Sequence, residues 1–147
     1  MKTDDIDLKI IRRLWNGRTP YKDIGEEIGL TTNTVRSRVN RLLENGILQI
    51  IGLVDPDAIP NHSSAVAFFK IEHNKRKEAL EQIGALKNVV TAASLNSCYD
   101  VIALIMLNDE YSHKNFMINE LKKVEGVISV ETAFPIDAVD WQLRYVL

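Results

Sequence analysis

One cysteine, Cys98, is all that this 147-residue chain contains. A lone thiol cannot close an internal disulfide, which excludes the stapled folds of small secreted proteins. Long apolar runs are missing too. The longest, VIALIML at 101–107, is strand-sized, far short of the roughly 20 apolar residues of a membrane-spanning helix. The opening MKTDDIDLKII puts acid where a secretory signal needs a basic region and an apolar run. The expected location is therefore the cytoplasm, with no membrane partner. Histidine is sparse: His62, His73 and His113 are scattered, without a pair four apart or a supporting thiol or carboxylate cluster. No metal ligand set is expected. Glycine-rich phosphate loops, nucleophile elbows and triad patterns are absent as well, so neither a cofactor nor catalytic residues are expected.

What is present fits an ordinary globular chain, with 46% hydrophobic and 26% charged residues. The formal net charge of −2 gives no sign of a nucleic-acid partner. Its distribution is more telling. Residues 1–50 carry nine Lys/Arg against seven Asp/Glu, and residues 51–147 carry nine against thirteen. The first part is thus +2 and the second −4, with the cationic side chains gathered at Arg36, Arg38 and Arg41. Many solvated helices carry such a bias, so it needs a motif beside it.

The motif lies at 20–46, PYKDIGEEIGLTTNTVRSRVNRLLENG. A first helix precedes it, capped by Thr3 or Asp4, with Ile6, Ile10 and Leu14 on one stripe. Asn16-Gly17 stops that helix, and Trp15 is expected against the core. Pro20 suits the start of a second helix, and Gly29 suits its end. Thr31 is the N-cap of a third helix over about 32–45. Val35, Val39 and Leu42 fall at i, i+4 and i+7, with Leu43 flanking, and face the other helices. At about 100° per residue, Asn33, Ser37, Asn40 and Arg41 point the other way, with Arg36 and Arg38 at the flanks. Amides, hydroxyls and guanidinium groups on one face are side chains that bond base edges and phosphates. The layout is a helix-turn-helix whose second helix enters the major groove. Thr31, Thr32, Asn33, Arg36, Ser37, Arg38, Asn40 and Arg41 are the candidate DNA contacts, Asn33 and Ser37 best placed for bases. Arg38 could equally support the domain from within. Residues 47–51 are expected as a strand, the wing of a winged helix-turn-helix. The bland alternative for the whole face is a solvated helix side.

Pro56 and Pro60 punctuate residues 53–64, expected as a linker between domains at 1–52 and 65–147. Beyond it come a strand (65–72), a helix (73–86), two strands (89–96 and 100–107) separated by Ser97-Cys98-Tyr99, a helix (108–124) and a strand (127–136). Strand-helix-strand-strand-helix-strand is the split β-α-β arrangement of a ferredoxin-like sandwich, with the middle strands forming a hairpin. The fold class expected is α+β. The tail from Asp137 adds a fifth strand or reaches a partner. Strands at 65–72 and 101–107 are apolar on both alternating sets, which fits a sheet covered on both faces. Cys98 reads as packing or as a redox sensor.

The chain resembles the Lrp/AsnC, or feast/famine, family of prokaryotic transcription regulators. The matching residues are Asp4 and Asp7, Ile10, Ile11 and Leu14, Asn16-Gly17-Arg18, Ile24, Ile28-Gly29-Leu30-Thr31, Val35, Arg38-Val39, Arg41-Leu42 and Gly46-Ile47. In the second half, Tyr99-Asp100 stands at the family's G-x-Y-D turn, and Gly126-Val127 precedes the last strand. The chain departs from the family pattern in three places. Gly25 stands where the family prefers alanine, a helix-interior cost of about 1 kcal/mol. The turn 96–100 lacks its usual glycine. Phe134 and Pro135 fall where the family often keeps a hydroxyl.

The resemblance implies double-stranded DNA as partner, a homodimer assembling to higher oligomers such as an octamer, and an amino-acid effector. Effector contacts would fall at Asn96, Ser97, Tyr99, Asp100 and Thr132, although Tyr99-Asp100 also reads as a structural turn. Two other functions share this architecture: an effector-independent DNA-organising protein, and a sirohaem decarboxylase, which would need His or Arg reaching into a tetrapyrrole cavity.

Overall fold

The computed structural model describes residues 2–15 and 17–147. It divides into two compact units, Met1–Ile51 and Gly52–Leu147.

The first unit holds helices α1 (Asp5–Arg13), α2 (Tyr21–Ile28) and α3 (Thr32–Glu44). Asp4, not Thr3, caps α1. Its carboxylate accepts from the Asp7 amide at 2.8 Å, and the Asp7 carboxylate accepts from the Asp4 amide at 3.2 Å. This reciprocal pair occupies two amides that the first helical turn leaves without partners. Pro20 caps α2. Gly29 ends it at φ +74, a left-handed conformation that costs glycine little. The Thr31 hydroxyl then accepts from the Thr34 amide and starts α3. Ile10, Leu14, Ile24, Val35 and Val39 form the core, with Ile6, Tyr21, Ile28, Leu30 and Leu48 packed around it.

Several expectations for this unit change. Trp15 is 86% exposed and outside the core. Leu14 already completes the Ile6/Ile10 stripe, and the next residue points about 100° away from it. Leu43 is exposed for the same reason, one step past the buried Leu42. Residues 47–51 form no strand and hence no wing, because no second strand in the first unit pairs with them. Of the expected stop at Asn16-Gly17, Asn16 lies outside the described residues, and Gly17 has φ +68. Gly25 is the more instructive case. A Cβ built there would lie 2.5 Å from the Leu30 carbonyl oxygen, and the Gly25 carbonyl accepts the Leu30 amide at 2.8 Å. Glycine lets the turn fold back onto α2.

The second unit contains β1 (Leu53–Val54), β2 (Ser63–Ile71), α4 (Arg76–Gly84), β3 (Val89–Ser94), β4 (Val101–Leu107), α5 (His113–Asn115), β5 (Val127–Ala133) and β6 (Leu143–Arg144). Four strands make one antiparallel sheet in the order β3-β4-β2-β5. With α4 and the α5 segment between them, this is the ferredoxin-like βαββαβ arrangement. Ala65, Ala67, Phe69 and Ile71 of β2 alternate inward, beside Val101, Ala103, Ile105 and Leu107 of β4. They pack with Ala79, Ile83 and Phe116. Val66, Phe68, Ile102 and Leu104 occupy the opposite face and are half-buried.

Residues 53–64, expected as a linker, are built into this unit. β1 pairs with β6, Pro56 is buried in a 3₁₀ turn, and Ser63-Ser64 already belong to β2. The tail does add a strand, but to β1 and not to the main sheet. The helix expected at 108–124 starts late. The Asn108 side chain first closes a turn on the Tyr111 amide, and Ser112 then caps at the Asn115 amide. One α-turn passes into a π-turn at Phe116–Glu120 and a 3₁₀ turn at Leu121–Lys123. β5 stops at Ala133, just before Phe134-Pro135, since proline cannot donate to the ladder.

Gly25→Ala should lower the stability of the first unit. The helix-propensity gain of about 1 kcal/mol is outweighed by the backbone shift, since such overpacking costs about 1–3 kcal/mol. A lower urea midpoint on chemical unfolding is the expected result. An unchanged or higher one would show that the turn yields freely.

Candidate nucleic-acid interface and turn

Val35, Val39 and Leu42 of α3 are fully buried, the first two in the core shared with α1 and α2. That fixes the roll of α3 and turns Asn33, Arg36, Ser37, Asn40, Arg41 and Glu44 outward around an open groove of about 420 Å³. Thr31 is exposed but committed to capping, sharing a hydroxyl–hydroxyl contact with Thr34. Thr32 is half-buried. Arg36 makes a long 3.4 Å bond to the Asn33 side chain and, among the described residues, no ion pair.

Arg38 and Arg41 differ from Arg36. Arg38 Nη1 donates to both Asp4 oxygens, at 2.9 and 2.7 Å, and to Asp7 Oδ1 at 2.8 Å. Arg41 Nη2 reaches Asp7 Oδ1 and Oδ2 at 3.0 and 2.9 Å. The Asp7 side chain is 0% exposed, Arg38 23% and Arg41 46%. Arg38 is thus spent inside the unit, the supporting role left open by its flank position. Arg41 is shared between a buried carboxylate and the groove.

Burial pushes the Asp7 carboxyl upward, but the Arg38 bond, the Asp4 amide and the Arg41 charge outweigh it and hold the group below its ordinary value. Arg38 holds Asp4 down in the same way. The Asp4 and Asp7 bonds in turn raise Arg38. The spacing of Asp4 and Asp7 shows a cap in the sequence. Nothing local shows that both carboxylates also cross to a helix 31 to 34 residues away.

The turn at 95–100 is closed by its own groups. Ser97 Oγ accepts from the Tyr99 amide and donates to the Tyr99 carbonyl, both at 3.2 Å. Asn96 and Cys98 are exposed. Asp100 Oδ2 accepts from the Ile71 amide at 2.8 Å, and Oδ1 pairs with Arg76. The Tyr99 ring lies 5.3 Å from Phe68. The Glu131 carboxylate, with burial, raises the Tyr99 phenol. Phe68 and Glu131 are register partners on the sheet face away from the helices.

Thr132 sits on the other face, opposite Ala67, with its hydroxyl 2.9 Å from His113 Nε2. His113 meets the edge of Phe134 at 5.2 Å. Within one chain, Tyr99 and Thr132 therefore lie toward opposite faces of the sheet. Arg76, His113 and Glu131 are neighbours that sequence inspection missed, since each arrives through sheet register or helix packing.

An AsnC-type helix-turn-helix domain matches residues 4–43. The chain is 32% identical over 126 residues to the HTH-type transcriptional regulator Ptr1 of Methanocaldococcus jannaschii, covering 84% of this chain and 85% of that one. The structure of E. coli AsnC superposes with a TM-score of 0.72 at 20% identity, covering 94% of this chain and 95% of that one. A transcriptional regulator from Neisseria meningitidis, solved as a complex with L-Met, superposes with a TM-score of 0.73 at 20% identity, covering 99% and 96%.

Because both Asp4 and Asp7 are depressed, their stabilising effect is complete above the ordinary carboxyl value of 3.8 and fades as pH falls through it toward the folded-state values. Helical circular dichroism of the first unit should hold at pH 7 and 5, and its thermal midpoint should fall below about pH 4. Equal midpoints at pH 7 and 3 would show that the carboxylates contribute nothing.

Proposed function

This chain belongs to the Lrp/AsnC family of transcription regulators, and from that premise we propose that it binds double-stranded DNA through α3. The carrying observation is the α3 face itself, where buried Val35, Val39 and Leu42 leave Asn33, Arg36, Ser37 and Asn40 exposed together. Asn33 and Ser37 supply short polar groups for base edges, and Arg36 and Arg41 supply phosphate contacts. Arg38, bonded inward, stabilises the domain. No catalytic role is assigned to any residue.

A single helix-turn-helix head of about 50 residues binds briefly, and a second head at fixed spacing makes the next contact effectively intramolecular. A homodimer that assembles further is therefore part of the reading. The sheet face carrying Val66, Ile102 and Leu104 fits a second copy. It is apolar, it lies away from the helices, and Trp141, Thr91 and Ala93 continue it around a cavity of about 220 Å³. The acidic second unit then supplies assembly, and an amino acid acting near 96–100 biases it, as such coupling needs differential binding to two arrangements. The L-Met complex of the Neisseria regulator supports that class of effector.

A second reading, DNA organisation without an effector, draws support from the turn. Asp100 is committed to Arg76 and the Ile71 amide, and Thr132 lies on the opposite face.

Arg36→Ala should weaken DNA binding and reduce the slope of log affinity against log salt by about 0.9 per subunit contact, with an unchanged elution volume on a sizing column. Retained affinity and slope would remove α3 as the DNA face. Titration calorimetry against the twenty amino acids decides between the two readings. Heat from one of them supports an effector, and none from any supports the DNA-organising protein.

A further inference from the structure

Arg41 faces two ways. It lines the groove with Asn33, Ser37 and Asn40, and its guanidinium bonds both oxygens of a carboxylate with no exposure to solvent. The same carboxylate also takes Arg38, whose remaining bonds go to Asp4. Two carboxylates thus meet two guanidinium groups, and the cluster is close to neutral. Asp7 is itself held in place by the capping box, because its amide and its carboxylate are both bonded to Asp4. Its position follows α1, the head of Arg41 follows Asp7, and that of Arg38 follows Asp4 and Asp7 together.

We propose that Asp7 is a positioning residue for DNA recognition: together with Asp4 it holds Arg38 back from the DNA, and it fixes the angle at which Arg41 meets it. The inference rests on α3 as the DNA face. Phosphate contacts add affinity at every sequence, whereas base contacts discriminate. An α3 with three loose guanidinium groups would bind many duplexes through their phosphates. With Arg38 held inward and Arg41 tethered, a larger share of binding falls to the short side chains Asn33, Ser37 and Asn40. Asp7 thereby raises specificity by limiting the number of loose cations.

The test uses the full-length chain and two fluorescent duplexes of equal length, one recovered by selection from genomic fragments and one unrelated. Binding is followed across a salt series for wild type and for Asp7→Asn, Asp4→Asn, Asp5→Asn and Arg36→Ala. Asn at position 4 keeps a capping oxygen, so Asp4→Asn reports on Arg38 if Asp7→Asn fails to fold. Asp5 is exposed and makes no side-chain bond among the described residues. Asp5→Asn therefore removes the same charge without touching the cluster.

Asp7→Asn is expected to bind the unrelated duplex more tightly, with a salt slope steeper by about one unit per subunit, and to lose about tenfold in discrimination between the duplexes. Asp4→Asn should shift both quantities in the same direction by less, and Asp5→Asn should leave discrimination as in wild type. The proposal is overturned if the folded Asp7→Asn keeps the wild-type slope and discrimination. It is also overturned if Asp5→Asn reproduces the Asp7→Asn effect, or if Asp7→Asn does not fold and Asp4→Asn is indistinguishable from wild type. Arg36→Ala separates this outcome from failure of the premise: undiminished binding by that variant would remove the DNA face itself, whatever the aspartate variants do.

Discussion

A carboxylate out of contact with water needs compensating charge and hydrogen bonds, since leaving it unpaired costs several kcal/mol. Asp7 is in that position, and among the described residues its compensation comes from its own cap partner and from α3. The first unit is organised by this demand. α1 cannot swing away from α3 without exposing or orphaning the charge, so the capping of one helix sets the orientation of another. Apolar packing of Ile10, Ile24, Val35 and Val39 supplies the cohesion. It sets which side of each helix turns inward but leaves the sliding of one helix along another less defined, because the hydrophobic effect is non-directional. The ion cluster adds direction.

The second unit meets a different constraint. Its own helices cover one apolar face of the sheet, and the opposite face carries Val66, Phe68, Ile102 and Leu104 beside Glu131. Asp100 secures the end of the covered face by joining the β2 backbone at Ile71 to Arg76 on α4. The other face is crossed at one end by the tail, where Trp141 Nε1 donates to Ser64 Oγ and Arg144 to the Val90 carbonyl. Val66, Ile102 and Leu104 lie beyond the tail on that same face.

Much of this was legible along the chain. The three helices of the first unit follow from apolar spacing, Gly29 and the capping hydroxyl of Thr31, all local signals. The βαββαβ order follows from alternating strands and two helical stretches. Failures occurred where a local signal had a distant competitor. Trp15 looked like core material because it is large and apolar, but Leu14 already filled the stripe. Gly25 looked like a helix defect, and the reason for it is the Leu30 carbonyl that the turn brings close. The prolines at 56 and 60 suggested a linker, yet β6, some ninety residues later, pairs with β1 beside them. Among the candidate contacts, the α3 face was legible because helical geometry fixes it within a few residues. The turn and Thr132 were placed together by resemblance, and sheet register separates them onto two faces.

The sequence by itself determined the three helices of the first unit, the βαββαβ order of the second, the outward side of α3 and the family, because these depend on periodicity and on residues close in the chain. Only the tertiary structure decided what each charge is for. Along the sequence, Arg36, Arg38 and Arg41 are each a guanidinium at or beside one helix face, and the flank position of Arg38 leaves both an outward and an inward role open. Distance makes them unequal: Arg38 and Arg41 lie within hydrogen-bond reach of Asp7 and Arg36 does not. Electrostatic partnership depends on separation in space and on exclusion of water. Neither is encoded at any single position, and both arise when α1 and α3 bury their apolar faces against each other.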